Sequence, residues 1–552
     1  MVEIMNTSRI LIRVFNLILI SAALIQCFGQ SSAFFDTVWV RRYNGPGNAY
    51  DKPEAIAVDV NGNVYVSGWS RGYQTMNDYA TIKYDSMGSQ LWVNRYDGPI
   101  SGFDNAWDMV LDPCDNVLVT GESPNVDTNL DYVSIKYSST GEERWVRRYD
   151  GMYGLDDVAN KIVADSIGNI FVTGYCLRSA DVGYCATIKY DSMGTLLWDD
   201  YFIMIDTSST CGYSISFDMA GNIYIAGQVS RYSEATDIFI VKYNSDGNEQ
   251  WFAIYDNPEH SNDYYAQLIN SGQYIYICGA SFDTLTNFNY LLAKYDSSGT
   301  LIWERNYDGF SNYDITQDMA IDNVGNIIVT GRSRNNTTDY DFATLKYDSS
   351  GNQKWVKRYN GPGNGWDEPS AITIDSNDDI YITGCCTDID GDYDYVTIKY
   401  DTSGNLVWVR QYNGPVDNYD YATDIAVDDN EYVYVTGESF GSGGIYDYAT
   451  IKYAQYTPVE ECYTENKRKA IFIPTFINDK LWCKLNNNDI KKDLTVRIYD
   501  VSGSNICSFD VKPSNSCFMI SDNRLKDLSQ GIYFVNVYVK TTFIGRAKVL
   551  KP

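Results

Sequence analysis

The chain has 552 residues, 44% of them hydrophobic and 15% aromatic, with 48 tyrosines, enough material for a large core of pleated strands. A formal charge of −29 repels phosphate backbones and sets nucleic acid aside as a partner. One histidine, His260, in the polar stretch NPEHSND, excludes multi-histidine zinc sites, and twelve cysteines form no CxxC pair.

The amino terminus carries Arg9 and Arg13, then the apolar run VFNLILISAALI over 14–25, then CFGQSSA. That order reads as a secretory signal peptide over 1–29, cleaved after Gly29 with Cys27 and Gly29 as the small residues. A lipidated Cys27 is the rival, and Gln26 before it is a poor fit. The run is too short to span a bilayer and no later run is longer, so no transmembrane segment is expected in the mature chain. In an oxidising compartment, Cys176 with Cys185 and Cys507 with Cys517 are candidate disulfides.

From there a single unit repeats. Its tryptophan recurs as Trp39, Trp92, Trp145, Trp198, Trp251, Trp303, Trp355 and Trp408, at gaps of 52 or 53 residues. A Lys-Tyr pair recurs in step from Lys83 to Lys452. A constant period means one supersecondary unit packed on copies of itself. Inside the unit the hydrophobic period is two, with turn residues every ten to twelve positions. In the first unit the spacing predicts strands over Ala55–Asp59, Val64–Gly68, Tyr79–Tyr84 and Leu91–Tyr96, with WSRGYQTMND as a loop. Four-stranded antiparallel units of this length describe propeller blades. The array enters on a lone fourth strand, Val38–Tyr43, and leaves on a lone third strand, Tyr448–Tyr453. Pairing these two closes an all-β, eight-bladed propeller over 36–456 and removes its open edges.

The pattern D-x-A-x-x-I-x-V-D-x-x-G-N-x-Y-V-T-G, then D-Y-x-T-x-K-Y, then G-x-x-x-W, seen in YDYATDIAVDDNEYVYVTG and DYATIKY, resembles the SBBP-type bacterial β-propeller repeats. The resemblance implies an extracytoplasmic protein with a structural or binding role; such repeats are often seven-bladed, whereas eight are counted here.

In a propeller the second-to-third and fourth-to-first loops share a face, and here they are the long, variable ones, where binding residues concentrate. Two aspartate rows run along it: Asp51, Asp104, Asp157, Asp263, Asp314, Asp367 and Asp420 before strand one, and Asp78, Asp131, Asp237, Asp341, Asp394 and Asp447 before strand three. Tyr50, Phe103, Tyr313, Trp366 and Tyr419 precede members of the first row, so Tyr50–Asp51, Phe103–Asp104, Tyr313–Asp314, Trp366–Asp367 and Tyr419–Asp420 are candidate ligand-binding pairs for a sugar or for Ca²⁺. The alternative is that each Asp ties its loop by accepting backbone N–H bonds, with Arg42, Arg95, Arg148 and Arg358 available to pair with them. Blades that depart from the pattern, at Cys211-Gly212, His260 and Asn335-Asn336, form no chemical constellation. The loop TDIDGDYDY places Asp388, Asp390, Asp392 and Asp394 in alternation, a candidate Ca²⁺ loop without EF-hand spacing. Turns such as DSMGSQLW approach the Asp-box of sialidase-like propellers with the wrong spacing, and no carboxylate pair stands out as a catalytic acid and base.

After a polar linker over 457–469, seven short strands over 470–552 predict a small Ig-like β-sandwich. LTVRIYDVSGSNI, LKDLSQGIYFVNVYV and RAKVLKP resemble the C-terminal sorting domain of type IX secretion substrates, through Tyr499, Gly503, Leu528, Gly531, Tyr533 and Lys548. That resemblance implies the type IX machinery as a partner. Together the readings describe an exported binding or adhesion scaffold at the cell surface or secreted, with a glycan-active hydrolase or lyase, or a passive surface-layer component, as alternatives.

Overall fold

The computed structural model describes residues 37–454, apart from 180–181, 205–206, 232–234, 311–312 and 336–338, together with the strands between 472 and 551. The signal-peptide reading and the linker reading lie outside these residues. The chain divides into two compact units, Met1–Thr457 and Pro458–Pro552.

Each repeat folds as one antiparallel sheet whose strands follow chain order. In the first blade they are Asp51–Val58, Val64–Arg71, Asn77–Tyr84 and Gln90–Tyr96. The strands run further toward the long loops than the hydrophobic alternation predicts: Asp51–Pro53 pair with Gly68–Ser70, and Trp69–Arg71 with Asn77–Tyr79, where loop is expected. Alternation fails there because a bulge between Pro53 and Ala55 shifts the facing pattern. A bulge at this place recurs in the first strand of every blade. Opposite it sits the glycine of V-T-G. A Cβ on Gly68 would lie 2.2 Å from the Lys52 carbonyl oxygen, and one on Gly437 would lie 2.1 Å from that of Tyr421.

The short turns explain the rest of the repeat. Asp59 Oδ1 accepts the amides of Asn61 and Asn63, both at 2.9 Å, and Oδ2 accepts Asn63 Nδ2 and the Tyr65 hydroxyl. Gly62 supplies the positive φ that the turn requires. Strands two and three are almost wholly buried, and Ser/Thr hydroxyls pair between them, as in Thr436 with Thr450 at 3.2 Å.

Blades are joined by their signature residues. Lys83 Nζ and Trp92 Nε1 both donate to the Ser139 carbonyl in the next blade's hairpin, at 2.9 and 3.3 Å. The indole also lies against the hairpin glycine, Gly141, whose Cβ would meet it at 2.8 Å. This accounts for the spacing of K-Y and G-x-x-x-W. At the seam Trp39 and Lys452, from opposite ends of the ring, converge on the Ser86 carbonyl at 3.3 and 3.1 Å. Thr37–Tyr43 pairs with Tyr446–Tyr453 from Thr37↔Tyr453 to Tyr43↔Tyr448, so the eighth blade takes strands from both ends. The fold is an eight-bladed β-propeller.

The second unit holds two antiparallel sheets, Phe472–Ile477, Lys480–Leu485 and Cys517–Ile520 in one, and Asn505–Val511, Leu494–Tyr499, Gly531–Val539 and Thr542–Lys551 in the other. Leu481 and Ile520 of the first sheet and Val496, Ile498 and Val535 of the second are buried. Tyr499, Gly531, Tyr533 and Lys548 fall on strands of the larger sheet, whereas Gly503 and Leu528 lie outside the described residues.

Candidate ligand-binding face

The first-row aspartates do not reach solvent. Asp51, Asp104, Asp157, Asp263, Asp314, Asp367 and Asp420 are each 0% exposed. Asp51 Oδ2 accepts the Gly45 amide at 2.7 Å and Oδ1 the Arg71 amide at 2.9 Å; Asp420 holds Gly414 and Phe440 in the same way. Asp51, Asp367 and Asp420 thereby latch the incoming fourth-to-first loop onto the end of strand two, and Asp104, Asp157 and Asp314 hold the loop amides of Gly98, Gly151 and Gly309. Burial pushes Asp51, Asp104, Asp157, Asp314 and Asp367 up to about 6.

The arginines pair with the second row instead. Arg42 meets Asp447 at 3.0 Å, Arg95 meets Asp78 at 2.7 Å, Arg148 meets Asp131 at 2.9 Å and Arg358 meets Asp341 at 3.2 Å. The partners are neighbours in one blade, since strand four lies beside strand three. Arg95 also reaches the Ser70 hydroxyl and the Tyr43 hydroxyl of the preceding blade, at 2.7 and 2.8 Å. These rows are inter-strand and inter-blade cement.

What the long-loop face does present is aromatic. Tyr50, Phe103, Tyr313 and Tyr419 are exposed. Rings run without a break across three blades: Tyr393–Tyr419 at 5.4 Å, Tyr419–Tyr421 at 6.3 Å, Tyr421–Tyr446 at 6.4 Å, Tyr446–Tyr50 at 5.3 Å and Tyr50–Trp69 at 4.9 Å. Tyr50 donates to Glu438. Beside this arc lies a cleft of about 380 Å³ lined by Trp366, Glu368, Ser370, Cys385, Tyr393 and Tyr421. Trp366 packs on Tyr340 at 4.5 Å and donates Nε1 to Glu368 at 3.0 Å, and Arg332 bonds Glu368 at 2.6 Å while covering the Trp366 ring. Tyr313 meets Phe288 at 5.9 Å in the fifth-to-sixth blade sector, and Phe103, 47% exposed, stands outside the arc.

Sequence reasoning singled out Tyr50, Trp366 and Tyr419 but missed Tyr393, Tyr421 and Tyr446, which complete the arc. The signal for Tyr421 is faint: it follows an aspartate of the first row, at a position that Lys52, Asn105, Val158 and Glu368 fill in other blades. Also missed was an inner ring formed by the residue after each bulge. There Asp108, Asp318 and Asp424 each accept an amide of the next blade, from Ile162, Ile372 and Ile56 at 2.9, 3.0 and 2.9 Å. Lys161 bonds Asp108 at 3.0 Å and feels the charges of Asp424 and Asp318.

In the candidate Ca²⁺ loop, Asp388 Oδ1 accepts the amides of Asp390, Gly391 and Asp392 at 2.9, 2.8 and 3.0 Å and caps its own turn. Asp390 is exposed and Asp394 is buried. His260 is exposed and bonds Asp256 at 2.9 Å. Cys176 stands opposite Tyr184 and Cys185 opposite Tyr175, and these two thiols are free, so the bridge expected between them is absent; the bridge expected between Cys507 and Cys517 falls on a side chain outside the described residues. Among the described residues no helix is long and apolar enough to cross a membrane.

A curated relative, an uncharacterised WD repeat-containing protein of Acanthamoeba polyphaga mimivirus, is 24% identical over 70% of this chain, and the chain spans about a third of that protein's length (33%). Among solved structures, PorZ, a surface component of the type IX secretion system of Porphyromonas gingivalis, is 12% identical with 93% of this chain and 70% of that chain covered, at a TM-score of 0.37. The polysaccharide lyase Uly1 is 10% identical over 72% of this chain and 89% of its own, at a TM-score of 0.40. Likeness at this level carries no inference about ligands. Residues 38–73 and 407–443 match the SBBP beta-propeller repeat, and eight like blades closed into a ring make the chain a β-propeller.

Proposed function

We propose that the protein is an exported binding scaffold whose long-loop face holds an extracellular glycan on the aromatic arc of blades seven, eight and one. The observation that carries this reading is the unbroken line of rings from Tyr393 to Trp69, beside the Trp366 cleft. A continuous line of rings offers apolar surface to successive sugar rings, with Tyr419 and Tyr421 nearest to parallel at 24°, and a rigid scaffold limits the entropy lost on binding. A binding role is favoured over hydrolysis or elimination because the carboxylates beside the arc are engaged, Asp51 and Asp420 by backbone amides and Glu368 by Arg332. The leader-like segment over 1–29 supports export, and the residues shared with type IX sorting domains support that machinery as the carrier, leaving the protein secreted or at the cell surface. A glycan array with the intact protein tests the reading. Retention lost on Trp366→Ala and on Tyr421→Ala, without release of shorter products, is the expected outcome. Binding that survives both substitutions places the ligand elsewhere, and product release makes the protein an enzyme.

A further inference from the structure

In four blades the aspartate that precedes or opens strand three has a guanidinium of its own blade within 3.2 Å. The third blade has Tyr184 and Tyr201 at these two positions and the fifth has Asn289 and Asn306: where the carboxylate is gone, the cation is gone too. The seventh blade keeps Asp394 but has Gln411 in place of the arginine, and the Gln411 amide is turned to Cys386 Sγ at 3.0 Å. The fourth blade also has a carboxylate without an arginine, Asp237 with Ile254, but Asp237 has partners of its own.

Asp394 is therefore left over. It is 6% exposed, and its Oδ1 is buried with no hydrogen-bond partner. The carboxylates of Asp388, Asp420, Asp417 and Asp392 face it. At the equivalent junction between the first two blades, Asp78, Asp97 and Asp104 bring carboxylate oxygens within 4.8 Å of one another. Their counterparts here are Asp394, Asn413 and Asp420. Asn413 spends its Nδ2 on Asp417 at 2.6 Å and keeps its amide oxygen for another bond. A buried carboxylate facing further carboxylates is costly unless a positive charge joins it.

We infer that blade seven binds a hard divalent cation, Ca²⁺, at Asp394 with Asp420 and Asn413, where a guanidinium stands in the sister blades. The donors are carboxylate and amide oxygens, the set Ca²⁺ takes in flexible geometry. The site differs from a loop wrapped by Asp388 and Asp390: Asp388 Oδ1 accepts three amides of its own turn, whereas each Asp420 oxygen accepts one and keeps a lone pair. It does not rest on glycan binding and is read without any glycan.

The test is calorimetric titration of the metal-stripped intact protein with CaCl₂, alongside Tb³⁺ luminescence sensitised by Tyr393 and Tyr419. One saturable site is expected in the range of extracellular modules, about 10⁻⁴ to 10⁻³ M. Asp394→Asn weakens that site at least ten-fold. Gln411→Arg, which restores the pair of the sister blades, also weakens it at least ten-fold while leaving the metal-free melting temperature at or above that of the unsubstituted protein. If Asp394→Asn does not fold, the arginine variant decides alone. No saturable binding, or binding by Gln411→Arg equal to that of the unsubstituted protein, overturns the inference.

Discussion

Arg42→Ala tests how the ring is closed. Arg42 enters on the amino-terminal strand and bonds only residues from the far end of the ring: the Ser439 hydroxyl at 2.5 Å, the Ser439 carbonyl at 2.6 Å, Asp447 at 3.0 Å and the Tyr412 hydroxyl at 3.4 Å. Its side chain is 23% exposed and that of Asp447 only 11%. Stranding one partner of a fully buried pair costs about 3–5 kcal/mol, and an exposed pair is worth at most about 1. The intermediate burial puts Arg42→Ala at about 2–3 kcal/mol, most of it from leaving Asp447 without its cation. The double variant Arg42→Ala with Asp447→Ala removes the stranded charge and should recover about 1–2 kcal/mol of that loss. Urea unfolding followed by tryptophan fluorescence, with Trp39 packed at the same seam, reads both. Single and double variants of equal stability, or a single variant within about 0.5 kcal/mol of the parent, would refute the reasoning.

Gly437→Ala forces a Cβ to 2.1 Å from the Tyr421 carbonyl oxygen and 2.6 Å from the Ala422 Cα, both backbone atoms. It should cost about 2–4 kcal/mol in the same assay, whereas Gly444→Ala has open space and pays only for its positive φ, about 1 kcal/mol. Stability should also depend on pH in an unusual direction. Asp51, Asp104, Asp157, Asp314 and Asp367 rise by burial from 3.8 to about 6, so the folded chain holds more protons than the unfolded one through that window and loses stability as pH rises through it. Asp112 and Asp322 act oppositely: burial works against them, but hydrogen bonds from Lys136 and Asn116, and from Asn326 and Lys346, hold them low, and their stabilisation is lost as pH falls below about 4. The melting temperature should therefore peak near pH 4–5 and decline toward pH 7; a steady rise from pH 4 to pH 7 in differential scanning fluorimetry contradicts the burial of the first-row carboxylates.

By itself the amino-acid sequence determined the blade, the number of blades and the closure. Those rest on neighbours within one repeat: Asp59 and Gly62 make a turn, Thr436 faces Thr450, and the lone strands at the two ends complement each other. A period near 53 residues made each such relation visible eight times. Only the tertiary structure decided what the conserved-looking rows of aspartate do, because a carboxylate before a strand looks the same in sequence whether it faces solvent or turns inward. Asp51 turns inward because the amides of Gly45 and Arg71 meet there once strand two is in place. The aromatic arc likewise joins Tyr421 and Tyr446 to Tyr50, residues from opposite ends of the ring that touch only after it shuts. Contacts of that kind are set by the angle between blades, and no local pattern in the chain encodes it.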